Sequence, residues 1–426
     1  MMTRSSCRKL YLQLNFPMTK KRYFFLILIL GSLTALSPFS IDMYLPGFKA
    51  IAQDLNTTDG RVAWSLSSFF IGISGGQLLY GPLLDRFGRK KPLYIGLGVY
   101  ILVSILCAFV TDIDTFIWLR FIQAIGSCAA GVASITMVRD LFPIEDNAKV
   151  FALLMLVLGA SPMIAPTLGG YISVAFGWHT IFLALAGLGA FNLIASWLWL
   201  PNSYQPDTSL SLKPKPIITN FIAVLKEPQF YTYAFTGALA FAGLFVYVSG
   251  SPILFMSIFK VKEETYGWIF AGLSIGFIGA SQVNTMMLKK YSSEQLIYAA
   301  LIGQALSAIV FLIGSMNGWF GLAESLVMLF IFLACLGFAN PNAAALSLAP
   351  FTRNAGSASA LMGAFQMAFG AIASAFIGFF EQTSAVPMVT IMTVTTVLAL
   401  AVLHVGRKTI KKQVEVAPGQ VSNSFH

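Results

Sequence analysis

The sequence predicts an all-α polytopic membrane protein, with twelve transmembrane helices in two six-helix bundles. Three observations carry that prediction. The 426 residues are 57% hydrophobic and only 10% charged, with a mean hydropathy of +0.77, whereas soluble domains carry about a quarter charged residues. The apolar residues suffice for roughly twelve spans of ~20 residues each. A polar, proline-containing stretch at 201–229, beginning PNSYQPDTSLSLKPKP, separates the apolar runs into six and six. A soluble enzyme, a disordered chain and a disulfide scaffold are excluded on composition.

Apolar runs between charged or Gly/Pro-rich breaks place the first six spans at 23–46, 62–84, 92–111, 115–138, 148–172 and 178–200. The second six fall at 230–256, 265–288, 294–314, 322–348, 354–380 and 385–406. The first run is too long for the apolar region of a signal peptide and has no small-residue cleavage site followed by a soluble domain, so it is read as a retained helix. The chain then divides into a tail at 1–22, a bundle at 23–200, a connecting loop at 201–229, a second bundle at 230–406 and a tail at 407–426. The tails are too short for a signalling domain. A faint repeat joins the halves: LLDRFGRKKPLYIG after the second span and MMLKKYSSEQLIYAA after the eighth are offset by about 203 residues. The second copy keeps Lys289 and Lys290 but not the acidic and glycine positions. Paired bundles with a site between them are a common build of secondary transporters.

Orientation follows from the basic residues. With both termini cytoplasmic, 22 of the 27 Lys and Arg residues fall on the inner side, Lys49, Arg61, Lys260 and Lys262 fall outside, and Arg120 lies within a span. The positive-inside rule then sets the topology. The net charge of +10 is therefore an orientation signal rather than a nucleic-acid surface. Trp64, Trp118, Trp178, Trp197, Trp199, Trp268 and Trp319 fall near helix ends or in short loops, where an interfacial belt would sit.

Little in the chain suits catalysis or metal binding. Cys7, Cys107, Cys128 and Cys335 are scattered without a CxxC pair, and His179, His404 and His426 lie near helix ends or at the terminus. They predict neither a disulfide framework nor a metal site. No GxxxxGK[ST] is present, so ATP hydrolysis is not expected. With no paired acids or activated nucleophile within the spans, neither an enzyme nor a cofactor is expected.

The informative residues are the polar ones inside or at the ends of spans. The second span ends in Gly81-Pro82-Leu83-Leu84-Asp85-Arg86-Phe87-Gly88-Arg89-Lys90-Lys91. Its glycines permit a tight connection and close helix approach, and Asp85 and Arg89 stand four residues apart. Arg120, in LRFIQAIGSCAAG, is costly in a span unless it is paired, faces a polar cavity or snorkels to the outer interface. Asp42, in SPFSIDMYLPGF, is the one carboxylate of the first span. It is either a proton-exchanging group facing a cavity or an interfacial residue before Pro46. The fifth span carries GASPMIAPTLGG, with Gly159, Pro162, Pro166, Gly169 and Gly170, a pattern that kinks a helix and lets neighbours approach. Gln77, Gln282, Asn284, Gln304, Asn340, Asn342 and Gln366 are polar groups of other spans. Such groups more often bond between helices than touch a substrate; Asn340, Asn342 and Gln366 are preferred here as cavity residues.

These stretches resemble the major facilitator superfamily. Gly81 to Lys90 matches its G-x-L-x-D-R-x-G-R-[KR] signature throughout. Arg120, Gln123 and Gly126 match R-x-x-Q-G-x-G, with Ala124 at the first glycine, and Pro166, Gly169 and Gly170 match G-P-x-x-G-G, with Ala165 at its first position. Asp42-Met43-Tyr44-Leu45-Pro46, QLLYGPLLDRFGRK from Gln77, VRDLF from Val138, SGSP from Ser249 and APFTRNAGSASALMGAFQ from Ala349 are similar to the Bcr/CflA branch of the twelve-span drug:proton antiporters. Some related multidrug antiporters carry a second acid eight positions before the aspartate, where this chain has Thr34.

The resemblance implies the major facilitator fold, a cavity near the bilayer midplane, and proton-driven export of small amphipathic compounds across a bacterial inner membrane by alternating access. Asp42 would exchange the proton and Arg120 would tune it, with Gln123, Tyr44, Asn340, Asn342 and Gln366 around the coupling site and cavity. Gly81, Asp85, Arg86, Gly88, Arg89 and Asp140 would gate the cytoplasmic side, through an Asp85–Arg89–Asp140 cluster that breaks on opening. A transporter of one metabolite (a nucleoside, sugar or amino-acid derivative) on the same fold stays open. The expected partners are a small-molecule substrate, protons and the lipid bilayer, without nucleic acid, and the expected working unit is a monomer.

Overall fold

A computed structural model describes residues 20–142, 144–202, 204, 206, 214–351, 355–380, 384–410 and 414. Most of the two expected tails and much of the connecting loop lie outside these residues. Among the described residues every regular element is helical. The first half holds α1 (Lys20–Asp42), a 3-10 turn (Leu45–Gly47), α2 (Phe48–Asp54), α3 (Asp59–Phe87), α4 (Lys90–Cys107), α5 (Ile113–Leu141), α6 (Ile144–Phe176) and α7 (Trp178–Trp199). After α8 (Pro214–Leu225) the second half holds α9 (Pro228–Pro252), a π turn (Ile253–Ile258), α10 (Glu263–Met287), α11 (Ser293–Met316), α12 (Leu322–Leu348), α13 (Ala355–Ile377) and α14 (Val386–Arg407). Twelve helical segments are long and apolar enough to cross a membrane, and the chain is a multi-pass membrane protein.

Span boundaries differ from the sequence expectation by four residues or fewer, and the differences have local causes. α1 ends at Asp42 because Pro46, with a fixed φ and no N–H, heads a separate 3-10 turn. α11 starts at a capping box in which Ser292 Oγ accepts from the Gln295 N–H while Gln295 Oε1 accepts from the Ser292 N–H. Gly88 turns the chain from α3 to α4 at φ 81°, a conformation that favours glycine.

One expectation needs correction. The stretch 201–229, read as a loop, contains α8. Twelve residues are too few to span a bilayer, so the segment escaped a search for spans. Its Phe221, Val224 and Leu225 instead pack against Phe230, Ala358 and Leu361 of α9 and α13. The tryptophan belt is also incomplete. Trp118, Trp197, Trp199, Trp268 and Trp319 are exposed, but Trp178 is buried and Trp64 donates its indole N–H to the Ala375 carbonyl, 3.0 Å away on α13.

Packing reveals the internal repeat more clearly than the residues do. In the first bundle α1 packs on α5, α6 and α7, α5 also packs on α3 and α4, and α4 packs on α7. The second bundle repeats each pairing six spans later: α9 on α12, α13 and α14; α12 on α10 and α11; α11 on α14. The bundles meet along two seams, α3 with α13 and α6 with α10, which the same repeat exchanges.

Glycine sets the closest approaches within a bundle. A β-carbon at Gly72 of α3 would lie 2.5 Å from the Phe121 carbonyl oxygen and 2.7 Å from Ala124 Cβ of α5, whereas one at Gly75 would meet nothing within 4 Å. Gly72 thus leaves room for the methyl group of Ala124, where the family signature has glycine. Gly72→Ala is expected to destabilise the protein by about 1–3 kcal/mol through overpacking. Gly75→Ala should be neutral or slightly stabilising, since alanine is the better helix former. Thermal unfolding of both variants in detergent checks the contrast.

Candidate functional site

The side on which α1 begins and α14 ends is called here the terminal side, and the opposite one the far side. Near the far side α1 stops, and the last carbonyls of a helix have no partner within it. One of these, the Ser40 carbonyl, accepts from Arg120 Nη2 at 2.8 Å. Arg120 is fully buried, and its Nη1 donates to Gln123 Oε1 one turn along α5. Gln123 Nε2 continues to Ser104 Oγ at 2.7 Å, Ser104 Oγ to the Tyr100 carbonyl at 2.7 Å, and the Tyr100 hydroxyl shares a 2.7 Å bond with Ser40 Oγ. The loop of bonds closes on the helix end where it began. The guanidinium carbon also sits 4.3 Å from the ring centroids of both Tyr44 and Phe69, a cation–π sandwich in a dry setting. Tyr44 is anchored in turn to Ser65 Oγ at 3.1 Å. A cation at a helix C-terminus also complements the helix dipole.

Two residues beyond that carbonyl stands Asp42, 4% exposed. Among the described residues no ion pair joins it to Arg120 or to another cation. The 3-10 turn that follows it packs on α9 and α10 of the other bundle. Arg120, Gln123 and Tyr44 therefore position the helix end from which Asp42 reaches the seam. Their bonds lie within the first bundle.

Hydrogen bonds cross the α3–α13 seam from the far side to mid-depth. Besides Trp64 with Ala375, they run from Ser67 Oγ to Ser374 Oγ at 2.9 Å and from Ser74 Oγ to the Ala364 carbonyl at 2.9 Å. Ser374 also bonds Ser249 of α9, and Ser257 donates to Asp59 Oδ2 at 2.6 Å. At the other seam the two adjacent glycines of α6 press on different partners. A β-carbon at Gly169 would overlap the Met43 carbonyl oxygen, and one at Gly170 would lie 2.7 Å from the Glu263 carbonyl oxygen of α10. Gly159, farther down the same helix, meets Ile278 of α10 at ordinary contact distance. α6 runs unbroken through Pro162 and Pro166, so the expected kink is no break in the helix, and Gly169 and Gly170 act as close-packing positions.

The remaining cavity candidates split. Asn342 is buried and donates to Asn284 Oδ1 at 2.7 Å and to the Phe338 carbonyl at 2.8 Å, which makes it a tie between α12 and α10. Asn340 and Gln366 are half-buried and bonded to each other at 2.9 Å. Two grooves, one of about 340 Å³ between α10 and α12 and one of about 360 Å³ beside Asp54 and His179, include none of the predicted site residues.

On the terminal side Arg89 donates to Asp85 Oδ1 at 2.6 Å and to Asp140 Oδ2 at 2.8 Å, joining the ends of α3 and α5. Its guanidinium lies over Tyr204 at 4.0 Å. Burial works against the Arg89 charge, but the bonds from Asp140 and Asp85 outweigh it and raise its proton affinity above the ordinary value. The cluster is intact while the bundles meet at the far side. Arg86 lies over the Phe87 ring at 5.8 Å, and a β-carbon at Gly81 would find open space.

Sequence reasoning overlooked Tyr247, Tyr266, Ser67, Ser374 and Glu263. Serine and tyrosine in an apolar run carry no periodic signal, and only the packing of one bundle on the other, chiefly α3 on α13 and α6 on α10, marks them.

Sequence comparison agrees with this architecture. A sequence model of the Major Facilitator Superfamily matches residues 30–408. A Haemophilus influenzae protein described as "Bicyclomycin resistance protein homolog" is 31% identical over 369 residues, covering 87% of this chain and 92% of its own length. "Uncharacterized MFS-type transporter YdgK" of Bacillus subtilis is 33% identical over 383 residues, covering 89% and 94%. "Multidrug resistance protein MdtL" of Vibrio parahaemolyticus is 29% identical, covering 87% and 93%. Among solved structures, a D-xylose-proton symporter superposes with a TM-score of 0.72 at 14% identity, covering 89% of this chain and 97% of its own. A bacterial homologue of the human lysosomal transporter Spinster does so at 0.74 and 13%, covering 94% and 100%. At such identities these two speak for the fold alone.

Arg120→Leu tests the helix-end constraint. It removes the donors answered by the Ser40 carbonyl and Gln123 Oε1, and leaving a buried polar group unanswered costs about 1–3 kcal/mol. Thermal unfolding in detergent should therefore show a clear loss, whereas Asn340→Ala, at a half-buried pair, should change little.

Proposed function

Because the chain belongs to the major facilitator superfamily, we propose that it is a proton-driven exporter of small amphipathic compounds, working by alternating access in a bacterial inner membrane with both termini in the cytoplasm. The observation that carries this reading is the position of Asp42. It is the carboxylate of a transmembrane helix, almost wholly buried, just before a turn that packs on the second bundle. Proton coupling needs a group whose charge changes the relative cost of two bundle arrangements, and a carboxyl at a closing seam meets that need. Its proton affinity differs between a dry seam and an open one, so proton exchange and bundle movement become linked. The names of the bicyclomycin-resistance and multidrug-resistance relatives support export of toxic compounds as the task. The excess of Lys and Arg on the terminal side supports that side as cytoplasmic.

Each part has a role in this cycle. Arg120 and its bonded ring hold the end of α1, so that Asp42 keeps its place through the movement. The half-buried Asn340–Gln366 pair offers polar contacts to a substrate between the bundles. The Asp85–Arg89–Asp140 cluster, with Gly88 at its turn, steadies the terminal side of the first bundle and acts there as the gate. The working unit is the monomer.

Transport assays in proteoliposomes test the reading. Asp42→Asn is expected to abolish uphill movement driven by a pH gradient while leaving downhill flux measurable, because asparagine keeps the shape and loses the proton. Uphill transport at the unsubstituted rate would remove the centre of the proposal. A panel of unrelated toxic compounds run beside nucleosides, sugars and amino-acid derivatives separates export of many compounds from transport of one metabolite.

A further inference from the structure

On the far side the first turns of α3 dock against two helix ends of the second bundle, the π turn after α9 and the last turn of α13. The final carbonyls of a helix lack partners within it, and α3 supplies one. Ser257 of the π turn donates to Asp59 Oδ2 at 2.6 Å, and Trp64, one turn further along α3, donates its indole N–H to the Ala375 carbonyl at 3.0 Å. That carbonyl also accepts from the Gly378 N–H at 3.1 Å, so its two lone pairs are filled from the two bundles.

The indole is seated as well as bonded. A β-carbon at Gly378 would lie 2.0 Å from Trp64 Nε1 and 2.8 Å from the Gly60 carbonyl oxygen, so the notch that takes the ring exists because residue 378 has no side chain. The Phe379 ring meets the indole edge-on, with centroids 5.2 Å apart, and the Arg61 guanidinium carbon lies 5.3 Å from the indole centroid. Arg61 is itself ion-paired to Asp114 of α5. The first bundle therefore grips Trp64 through Arg61, and the second grips it through Ala375, Gly378 and Phe379. The links from Ser67 to Ser374 and from Ser74 to Ala364 lie deeper along the same seam and come from small side chains.

We propose that Trp64 is the far-side gating residue of the transport cycle, a bolt seated in the Gly378 notch that withdraws before a substrate between the bundles leaves on that side. The inference rests on the transport reading above and adds the residue that governs release. Withdrawal costs little in hydrogen bonds, because the Ala375 carbonyl keeps the Gly378 N–H and water takes the place of the indole. It is demanding in shape, since the ring must clear both the Gly378 backbone and Phe379. The deeper serine pairs then meet far-side water only after the indole has left.

The test uses full-length protein in spheroplasts, with the native cysteines replaced and a membrane-impermeant maleimide added outside. Gln53→Cys, at an exposed residue of α2, should label fast and so fix which side faces out; if it does not, the same measurements are made on inverted vesicles. Ser67→Cys, one turn deeper than Trp64, should label slowly. Adding Trp64→Phe, which keeps an aromatic ring and loses the N–H, should speed that labelling about threefold to tenfold, the effect of one net hydrogen bond. Adding Gly378→Ala, whose methyl group cannot share the notch with the indole, should speed it too. Thermal unfolding in detergent should stay unchanged for Trp64→Phe, which a purely structural role would not allow. The variants alter opposite halves of one contact, and an unchanged labelling rate in either one that folds overturns the bolt. The outcomes separate the two claims. If Asp42→Asn abolishes uphill transport while labelling at Ser67→Cys is unchanged, only the bolt falls; if Asp42→Asn keeps uphill transport, the proton-coupling reading falls.

Discussion

A guanidinium inside a membrane protein needs acceptors, and in this chain one of them is the open end of a helix. Arg120 takes the Ser40 carbonyl, which α1 exposes because Pro46 and its 3-10 turn prevent the helix from continuing. Gln123, Ser104 and Tyr100 complete the ring of bonds. Much else follows from that one arrangement. It holds the end of α1 that Pro46 sets, hence the place of Asp42, and it ties α1, α4 and α5 into one body. The rings of Tyr44 and Phe69 on either side of the guanidinium exclude water from it, and in a low dielectric such contacts gain strength. Arg120 and Asp42, which the sequence pairs in one coupling site, have different surroundings: the guanidinium is bonded within the first bundle, and among the described residues no ion pair joins it to the carboxyl.

The seams between bundles have a different character from the bundle interiors. Interiors are held by aromatic and aliphatic packing around tight glycine contacts. The seams are lined by serines, glycines and a few aromatic rings, with short bonds such as Ser67 to Ser374 and Trp64 to Ala375. Small residues let backbones approach, and hydroxyl bonds between helices are individually weak, about 0.6 kcal/mol on average in one membrane protein. An interface of that kind closes well and separates at small cost. The interiors, by contrast, are closely packed.

The fold was largely legible from the residues. Length, apolar periodicity and the proline-rich divide yield twelve spans and two bundles, because a bilayer admits so few backbone solutions. The Arg89 cluster was legible too, since Asp85 and Arg89 are close in sequence and Asp140 ends the neighbouring span. α8 was missed because a short amphipathic helix lacks the length signal of a span. Asn342 was ranked as a cavity residue, yet it ties α12 to α10, and side-chain amides in spans look alike until their partner is known. The seam serines were invisible for the same reason: their meaning lies in which helices face each other, and that is a property of the packed pair.

The twin glycines of α6 carry a mechanical consequence. Successive Cα atoms are about 3.8 Å apart, so the same short stretch of backbone bears on Met43 in one half and on Glu263 in the other. A tilt of the second half against Gly170 would reach, with almost no intervening chain to absorb it, Met43, the residue after Asp42. The contact between the halves and the backbone beside the α1 carboxyl thus meet at one point on α6.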